Sequence, residues 1–352
     1  MALLKYQNAG ISGIAAAVPG NVINNYEYTG HYPKDEVNKV VDKIGVFERR
    51  FADENTCSSD LCLAAAQQLI EEMDIDKSEI DVLLFVSQTP DYRMPATSII
   101  LQDRLGLKQG TIAFDITLGC SAFVFALQVA YSMISNPGIN KVLILNGETR
   151  SKVYSSKDRK TAFLFGDAGV AALIEKDDSF GESFFSLNSD GSKSGMIKID
   201  AGGYRQPSSV DSLKEKVVDD DGNIRNDEQG HIDGLNVFNF AAKEVPKDLK
   251  KLLGFADKEN ESIDYFIFHQ ANKIINDFLV KKLKLDHEKV PSSLDTFGNT
   301  SSVSVPLTIV SRLKNKTSEK RTLCLSAFGN GLSWGSAIIN LPDCHLADII
   351  EI

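Results

Sequence analysis

Cys120 stands in the stretch TIAFDITLGCSAFVF (residues 111–125), where an apolar, strand-like run gives way to small residues and then to a second apolar run. A thiol at such a junction opens a helix. The partial positive charge of a helix N-terminus favours the thiolate, which is a good nucleophile toward thioesters. Two distant side chains could serve the same chemistry: His269, at the end of the apolar run FIFH, and Asn299, in FGNTSS. A neutral imidazole and a carboxamide can both donate hydrogen bonds to a developing oxyanion without forming a charged pair. Each of the three also has a plain structural reading, as a small core thiol, a satisfied buried imidazole and a Gly-Asn turn. The choice depends on whether the fold brings them together.

The elements able to position them are visible as alternating patterns. DVLLFVS (81–87), KVLILNG (141–147), DYFIFHQ (264–270) and RTLCLSAFG (321–329) read as buried strands, while SSDLCLAAAQQLIEEM (58–73) and INDFLVKKLKL (275–285) carry helical spacing. This alternation predicts an α/β fold with largely buried sheets. The pattern also repeats. LIEEMDIDKSEIDVLLFVSQ (69–88) resembles LLGFADKENESIDYFIFHQ (252–270), each a helix end, an acidic linker and a buried strand begun after Ile-Asp. AFDITLGCSAFVFALQVAYSMI pairs with SLDTFGNTSSVSVPLTIVSRL, and KVLILNGE with RTLCLSAF, in the same order and at nearly the same separation. Three matches in register predict a duplicated chain, with one half (1–177) carrying the thiol and a second (178–352) carrying His269 and Asn299. Cys120 and Asn299 then hold nearly equivalent places, and packing about a pseudo-twofold axis makes equivalent strand ends converge. A Gly-, Ser- and Asp-rich stretch, about 186–234, reads as a solvated surface insertion or as a lid over the substrate.

Composition narrows the possibilities. A chain of 352 residues with 43% hydrophobic content can bury a large core, and its net charge of −10 has no balancing basic block, which argues against nucleic acid as the main partner. The opening MALLKYQNAGISGIAAAVPGN carries a lysine in a short apolar stretch and reads as a strand ending in a Pro-Gly turn, not as a secretion signal. No run is long and apolar enough for a membrane span. The five cysteines show neither a CxxC pair nor zinc-like spacing with histidine, so no metal site and no disulfide framework is expected, and a reducing cytoplasm fits.

FDITLGCSAFVFAL (114–127), FIFHQANKII (266–275), TFGNTSSVSVP (296–306) and SAFGNGLSWGSAII (326–339), in that order and spacing, resemble the signature blocks of β-ketoacyl-acyl carrier protein synthase III, of the thiolase-like superfamily. GVFERRFADE (45–54) and KDRKTAFLFGDAGVAAL (157–173) resemble further blocks, so the resemblance covers nearly the whole chain and is weakest in the polar insertion. It implies a thiolase-like fold, two αβ halves forming a five-layered αβαβα core. It implies Cys120 as the acylated nucleophile, His269 and Asn299 as the pair assisting decarboxylation, and an oxyanion hole made by the backbone N–H groups of Cys120 and Asn330. The implied substrates are acyl-coenzyme A and malonyl-acyl carrier protein, joined in a ping-pong Claisen condensation with no metal or redox cofactor, in a homodimer. Arg159 matches a position used for coenzyme A phosphates, Met94 one that reaches into the partner subunit's acyl pocket, and Phe328 would help shape the pocket.

Three positions depart from the family pattern. Asn330 interrupts a glycine run, and a backbone contact tolerates it because Asn accepts left-handed geometry better than other non-glycine residues. Lys39 stands where a tryptophan would stack on adenine, and Asn239, in NVFNFAA, where a lysine would touch the carrier protein. A rival reading in the same fold is a specialised acyltransferase that hands the Cys120-bound acyl group to an amine, hydroxyl or other carbon nucleophile. Papain-like proteases also order Cys, His and Asn along the chain, but with Trp or Tyr after the cysteine and without duplication. A catalytically silent partner subunit would have lost one of the three side chains.

Overall fold

The opening apolar run forms two strands, not the single one that its sequence predicts: β1 (Ala2–Gln7) and β2 (Ala9–Val18) are divided by Asn8 at φ 61°, a left-handed conformation that Asn tolerates better than most residues. The kink sends them to different sheets. A computed structural model describes residues 2–28, 30–314 and 320–352. After β2 come β3 (Val22–Asn24), α1 (Lys34–Ile44) and β4 (Glu48–Arg50), then α2 (Ser58–Glu72), β5 (Val82–Val86), α3 (Thr97–Arg104), β6 (Ile112–Ile116), α4 (Ala122–Ile134), β7 (Lys141–Thr149) and β8 (Asp167–Lys176). The chain continues through β9 (Glu182–Ser189), four two-residue strands β10 (Ile197–Lys198), β11 (Lys216–Val217), β12 (Ile224–Arg225) and β13 (His231–Ile232), and α5 (Gly234–Phe255). It ends with β14 (Tyr265–Phe268), α6 (Lys273–Leu283), α7 (Leu294–Phe297), α8 (Ser304–Leu313), β15 (Arg321–Gly329), β16 (Ser333–Leu341), β17 (His345–Leu346) and β18 (Ile350–Glu351).

One sheet runs β17-β2-β8-β7-β5-β6, with β18 also on β2; the other runs β1-β9-β16-β15-β14. The succession β2-β8-β7-β5 is the succession β9-β16-β15-β14. Even the approaches match, since a 3₁₀ turn precedes β5 at Lys77–Glu79 and β14 at Asn260–Ser262. The first strand of each succession takes its outer neighbour from the far end of the chain, β17 and β18 beside β2 and β1 beside β9.

Five layers follow from what each element buries. Helices α4 and α8 lie between the sheets, in one core with residues of both, and α4 (AFVFALQVAYSMI) is apolar all round because both of its sides are covered. Helices α2 and α3 cover the outer face of the first sheet, and α5 and α6 that of the second. This is the expected αβαβα arrangement of a thiolase-like fold.

Much of the polar stretch is tied down. Residues 186–189 already belong to β9, β10 pairs with β13, and β11 with β12. The segment is clamped onto residues 153–160 by Arg225–Asp158 (3.0 Å), Lys157–Glu215 (2.6 Å) and Lys160–Asp219 (2.8 Å), and by main-chain bonds from Ile224 to Lys157 and from Gly230 to Val153. It forms a wall. No helix among the described residues is long and apolar enough to cross a membrane.

Candidate active site

Strand β6 ends at Ile116 and helix α4 begins at Ala122, so Cys120 lies in the connecting turn at the helix N-terminus. The β15–β16 turn presses against it. A Cβ added at Gly329 would lie 2.7 Å from Cys120 Cβ and 2.9 Å from its backbone nitrogen, which leaves room for glycine alone. His269 directly follows β14, where its backbone N–H bonds to the Ser326 carbonyl (2.8 Å) and its Nδ1 faces Ser304 Oγ (2.8 Å). Asn299 is held from both sides, its N–H donating to Leu164 O (2.9 Å) and its carbonyl accepting from Gly166 (3.2 Å). Its Oδ1 accepts from Ser301 N (2.9 Å) and its Nδ2 donates to Ala271 O (3.2 Å).

Cys120, His269 and Asn299 line one cavity of about 80 Å³, together with Ser301, Phe328, Gly329 and Asn330. Phe328 is buried and meets the His269 ring edge-on, with centroids 5.7 Å apart. Burial pushes the imidazole pKa down to about 3, the Ser301 carbonyl acting the other way and Arg150 adding to the fall. His269 is therefore neutral throughout the physiological range. For Cys120 the helix N-terminus is present as expected, yet the dry surroundings win and push the thiol up, opposed by Arg150 and by the Ser301 hydroxyl.

Beneath the thiol lies a charged network that the sequence reading did not anticipate. Arg150 Nη2 donates to Ser301 Oγ (3.0 Å), Gln88 Oε1 (2.8 Å) and Glu148 Oε1 (3.2 Å). Asn330 Nδ2 donates to the same Gln88 oxygen (2.8 Å), and Ser301 Oγ lies 3.6 Å from Cys120 Sγ. Glu148 and Arg150 are both buried. Removing either partner alone would strand a buried charge, at about 3–5 kcal/mol. A weak signal was present: two opposite charges, Glu148 and Arg150, close the apolar run KVLILNGETR, the first in β7 and the second at the start of the 3₁₀ turn that follows it.

The turn after β15, expected to supply an oxyanion donor, differs in one respect from expectation. Asn330 does not take the left-handed conformation; the positive φ, 125°, falls on Gly331, and the Asn330 side chain is used instead to bond Gln88. A second cavity of about 610 Å³ shares Ile232, Gly234, Asn272 and Ile275 with the thiol cavity and is lined outward by Lys43, Arg159, Lys160 and Phe238. Arg159 is thus at its wall, where it also pairs with Glu36 (3.2 Å) and lies over the Tyr32 ring. Lys39 is on α1 with its side chain 78% exposed, while its neighbours Val40 and Lys43 line the cavity. Met94 is 76% exposed and is not among the residues that line the thiol cavity, and Asn239 is exposed on α5. Among the described residues, no three His, Cys, Asp or Glu are grouped to hold a metal ion.

Comparison with known proteins agrees with this geometry. Family profiles for 3-oxoacyl-[acyl-carrier-protein] synthase III match residues 114–191, and for its C-terminal part residues 253–341. The β-ketoacyl-[acyl-carrier-protein] synthase III of Streptococcus mutans is 34% identical over 344 residues, covering 95% of this chain and 99% of that protein. The chain belongs to the 3-oxoacyl-[acyl-carrier-protein] synthase III family. Among solved structures, a 3-oxoacyl-(acyl-carrier protein) synthase from Burkholderia xenovorans superposes with a TM-score of 0.94 at 35% identity, covering 100% of this chain and 99% of that one. The synthase III from Thermus thermophilus gives 0.81 at 30% identity, over 94% and 98%. As a synthase III, the protein is a condensing enzyme of the acyltransferase class.

Proposed function

We propose that this synthase III transfers the acyl group of an acyl-coenzyme A through Cys120 to malonyl-acyl carrier protein. One observation carries the reading: thiol, imidazole and carboxamide, supplied from two different sheets, open on a single cavity. In the first half-reaction the Cys120 sulfur bonds to the acyl carbon, the bond to the coenzyme A sulfur breaks, and the thiol proton leaves with that sulfur. In the second, the malonyl carboxylate departs as carbon dioxide, and its bonding pair becomes the enolate of the acetyl thioester. That carbon attacks the acyl carbon, the Cys120–acyl bond breaks, and 3-oxoacyl-carrier protein forms. Asn299 suits the enolate step because one Nδ2 hydrogen is spent on Ala271 and Oδ1 on Ser301, so the amide cannot flip and its second N–H is left over. His269, kept neutral, adds a donor without adding a charge. The backbone N–H groups of Cys120 and Asn330 supply the oxyanion hole, supported by the contact of Gly329 with Cys120.

The larger cavity takes the nucleotide and pantetheine arm, with Arg159, Lys43 and Lys160 for the phosphates. The family names support the carrier protein as acceptor, and the exposed Asn239 at the expected lysine position keeps a different acceptor as the second reading. A homodimer is supported by β6, the edge strand of its sheet, which exposes Ile112 and Phe114, and by Met94 and Tyr92 nearby in the chain. Five free cysteines suit a reducing cytoplasm. The repeated strand succession supports a duplication with halves 1–177 and 178–352, Lys39 lying at the outer rim of the donor site. Incubation with acyl-coenzymes A, intact-mass measurement, and then addition of malonyl-acyl carrier protein tests the whole reading. Acylation at Cys120 discharged as 3-oxoacyl-carrier protein is the expected result; an acyl-enzyme that persists with that acceptor but discharges to an amine or alcohol would replace it. Light scattering that gives a monomer would remove the dimer.

A further inference from the structure

Ser301 touches all three proposed catalytic groups. Its hydroxyl lies 3.6 Å from Cys120 Sγ, its N–H donates to Asn299 Oδ1, and its carbonyl faces His269. The residue is fully buried and sits at φ 56°, a left-handed conformation unfavourable for a serine. Such local strain persists where the surroundings over-determine it.

The hydrogen-bond direction can be worked out from donor chemistry. A guanidinium has donors and no acceptor, so the 3.0 Å contact of Arg150 with Ser301 Oγ uses a lone pair of the hydroxyl. The hydroxyl proton is then free to point along the remaining contact, toward sulfur. A donor aimed at sulfur favours the thiolate. Arg150 itself cannot swing away, being tied to Gln88 and Glu148.

We propose that Arg150 is a positioning residue for the nucleophile, holding the Ser301 hydroxyl as a fixed donor to the Cys120 sulfur. The inference rests on Cys120 being the nucleophile. The groups facing the sulfur are Glu148 in β7, Arg150 and Tyr154 in the turn after it, neutral His269 just after β14, the Ser301 hydroxyl, and the N-terminus of α4. Of the charged groups, Glu148 disfavours the thiolate and is offset by Arg150, so the relay works on a nearly neutral background.

The test is the pH dependence of Cys120 alkylation by iodoacetamide on the full chain, read by peptide mass so that Cys57 is counted separately. Ser301→Gly removes the hydroxyl while glycine adopts the same φ freely, and should raise the midpoint by about one pH unit, a tenfold smaller thiolate fraction. Arg150→Met with Glu148→Gln, which leaves no lone buried charge, should raise it similarly, and the triple variant should move it no further, because the two groups act in series. Arg150→Lys should recover part of the shift. An unchanged midpoint in Ser301→Gly, shifts that add in the triple variant, or no recovery with lysine would each overturn the relay. If altering the buried pair unfolds the protein, Arg150→Lys decides beside Ser301→Gly: a midpoint between those of the parent and Ser301→Gly supports the relay, and the parent's midpoint overturns it. Since alkylation needs neither coenzyme A nor carrier protein, failure of Cys120 to accept acyl groups would sink the proposed function by a separate reading.

Discussion

Cys120 and Asn299 occupy corresponding turns, one ahead of α4 and the other ahead of α8, yet they are held in opposite ways. Asn299 has its N–H, carbonyl, Oδ1 and Nδ2 all engaged, whereas the Cys120 thiol has, among the described residues, a single side-chain hydrogen-bonding contact, at 3.6 Å. The difference matches what each would do in the proposed reaction. A group that stabilises charge works best when already oriented, so that nothing reorganises as the charge develops. A nucleophile must change its bonding and geometry twice per cycle, and a full set of hydrogen bonds would have to be broken each time. The same scaffold position thus gives a rigid donor in one sheet and a loosely held sulfur in the other.

Substitutions should expose this contrast, and the largest effect is expected at the sulfur. Cys120→Ser should lower acyl transfer at least about a thousandfold, measured as intact-mass acylation with time, because a hydroxyl lacks both the acidity and the nucleophilicity of a thiol. Acylation at full extent on the partly exposed Cys57 instead would break the comparison at its base.

Asn299→Ala and His269→Ala come next. Each should reduce malonyl decarboxylation about a hundredfold, with acylation of Cys120 changed only a few fold. Equal losses in both half-reactions would mean that the rigid turn serves the thiol as well, and that the two roles are not separate.

A smaller effect concerns pH. His269 in the fold takes a proton only near pH 3, against 6.5 for the free side chain. Between those values the unfolded state binds more protons, so stability falls as pH drops from about 6.5 toward 3. His269→Gln should flatten that loss, seen as a smaller decline in thermal midpoint between pH 7 and pH 4. The same low pKa predicts a decarboxylation rate with no inflection near pH 6.5; an inflection there would show an imidazole far wetter than its surroundings suggest.

The smallest change is expected at the donor entrance. Arg159 is already paired with Glu36, so part of its charge is spoken for. Its replacement by Ala should raise the KM for acyl-coenzyme A a few fold, more at low salt than at high, and Glu36→Ala should lower it. A KM insensitive to salt and to both changes would place the nucleotide elsewhere.

The layered fold, and the three residues proposed as catalytic, are readable in sequence because both are written locally. Cys120, His269 and Asn299 each sit in a short block of characteristic composition, and the buried strands are continuous apolar runs such as Val82–Val86. The Arg150 network was not readable in this way. Its members Gln88, Glu148, Arg150, Ser301 and Asn330 come from four separate segments, and only the tertiary fold sets their distances. The division at Asn8 was hard to read for a related reason: the polar pair Gln7-Asn8 is too short an interruption to separate two strands by composition, and only the backbone shows the left-handed φ at Asn8. The polar stretch looked like loose surface because its contacts are ion pairs such as Arg225–Asp158, which composition alone does not distinguish from solvated charge.

The crossed-over end strands constrain how the molecule can be made. The first sheet gains β17 and β18 from residues 345–351, and the second takes β1 from residues 2–7, which wait for Glu182–Ser189 to be synthesised. During translation the emerging chain therefore holds an unpaired strand at each stage, and the Ala2–Gln7 segment must be kept from other partners until about 180 further residues have appeared. Neither αβ unit can be excised along the chain without unpairing a strand that the other sheet uses.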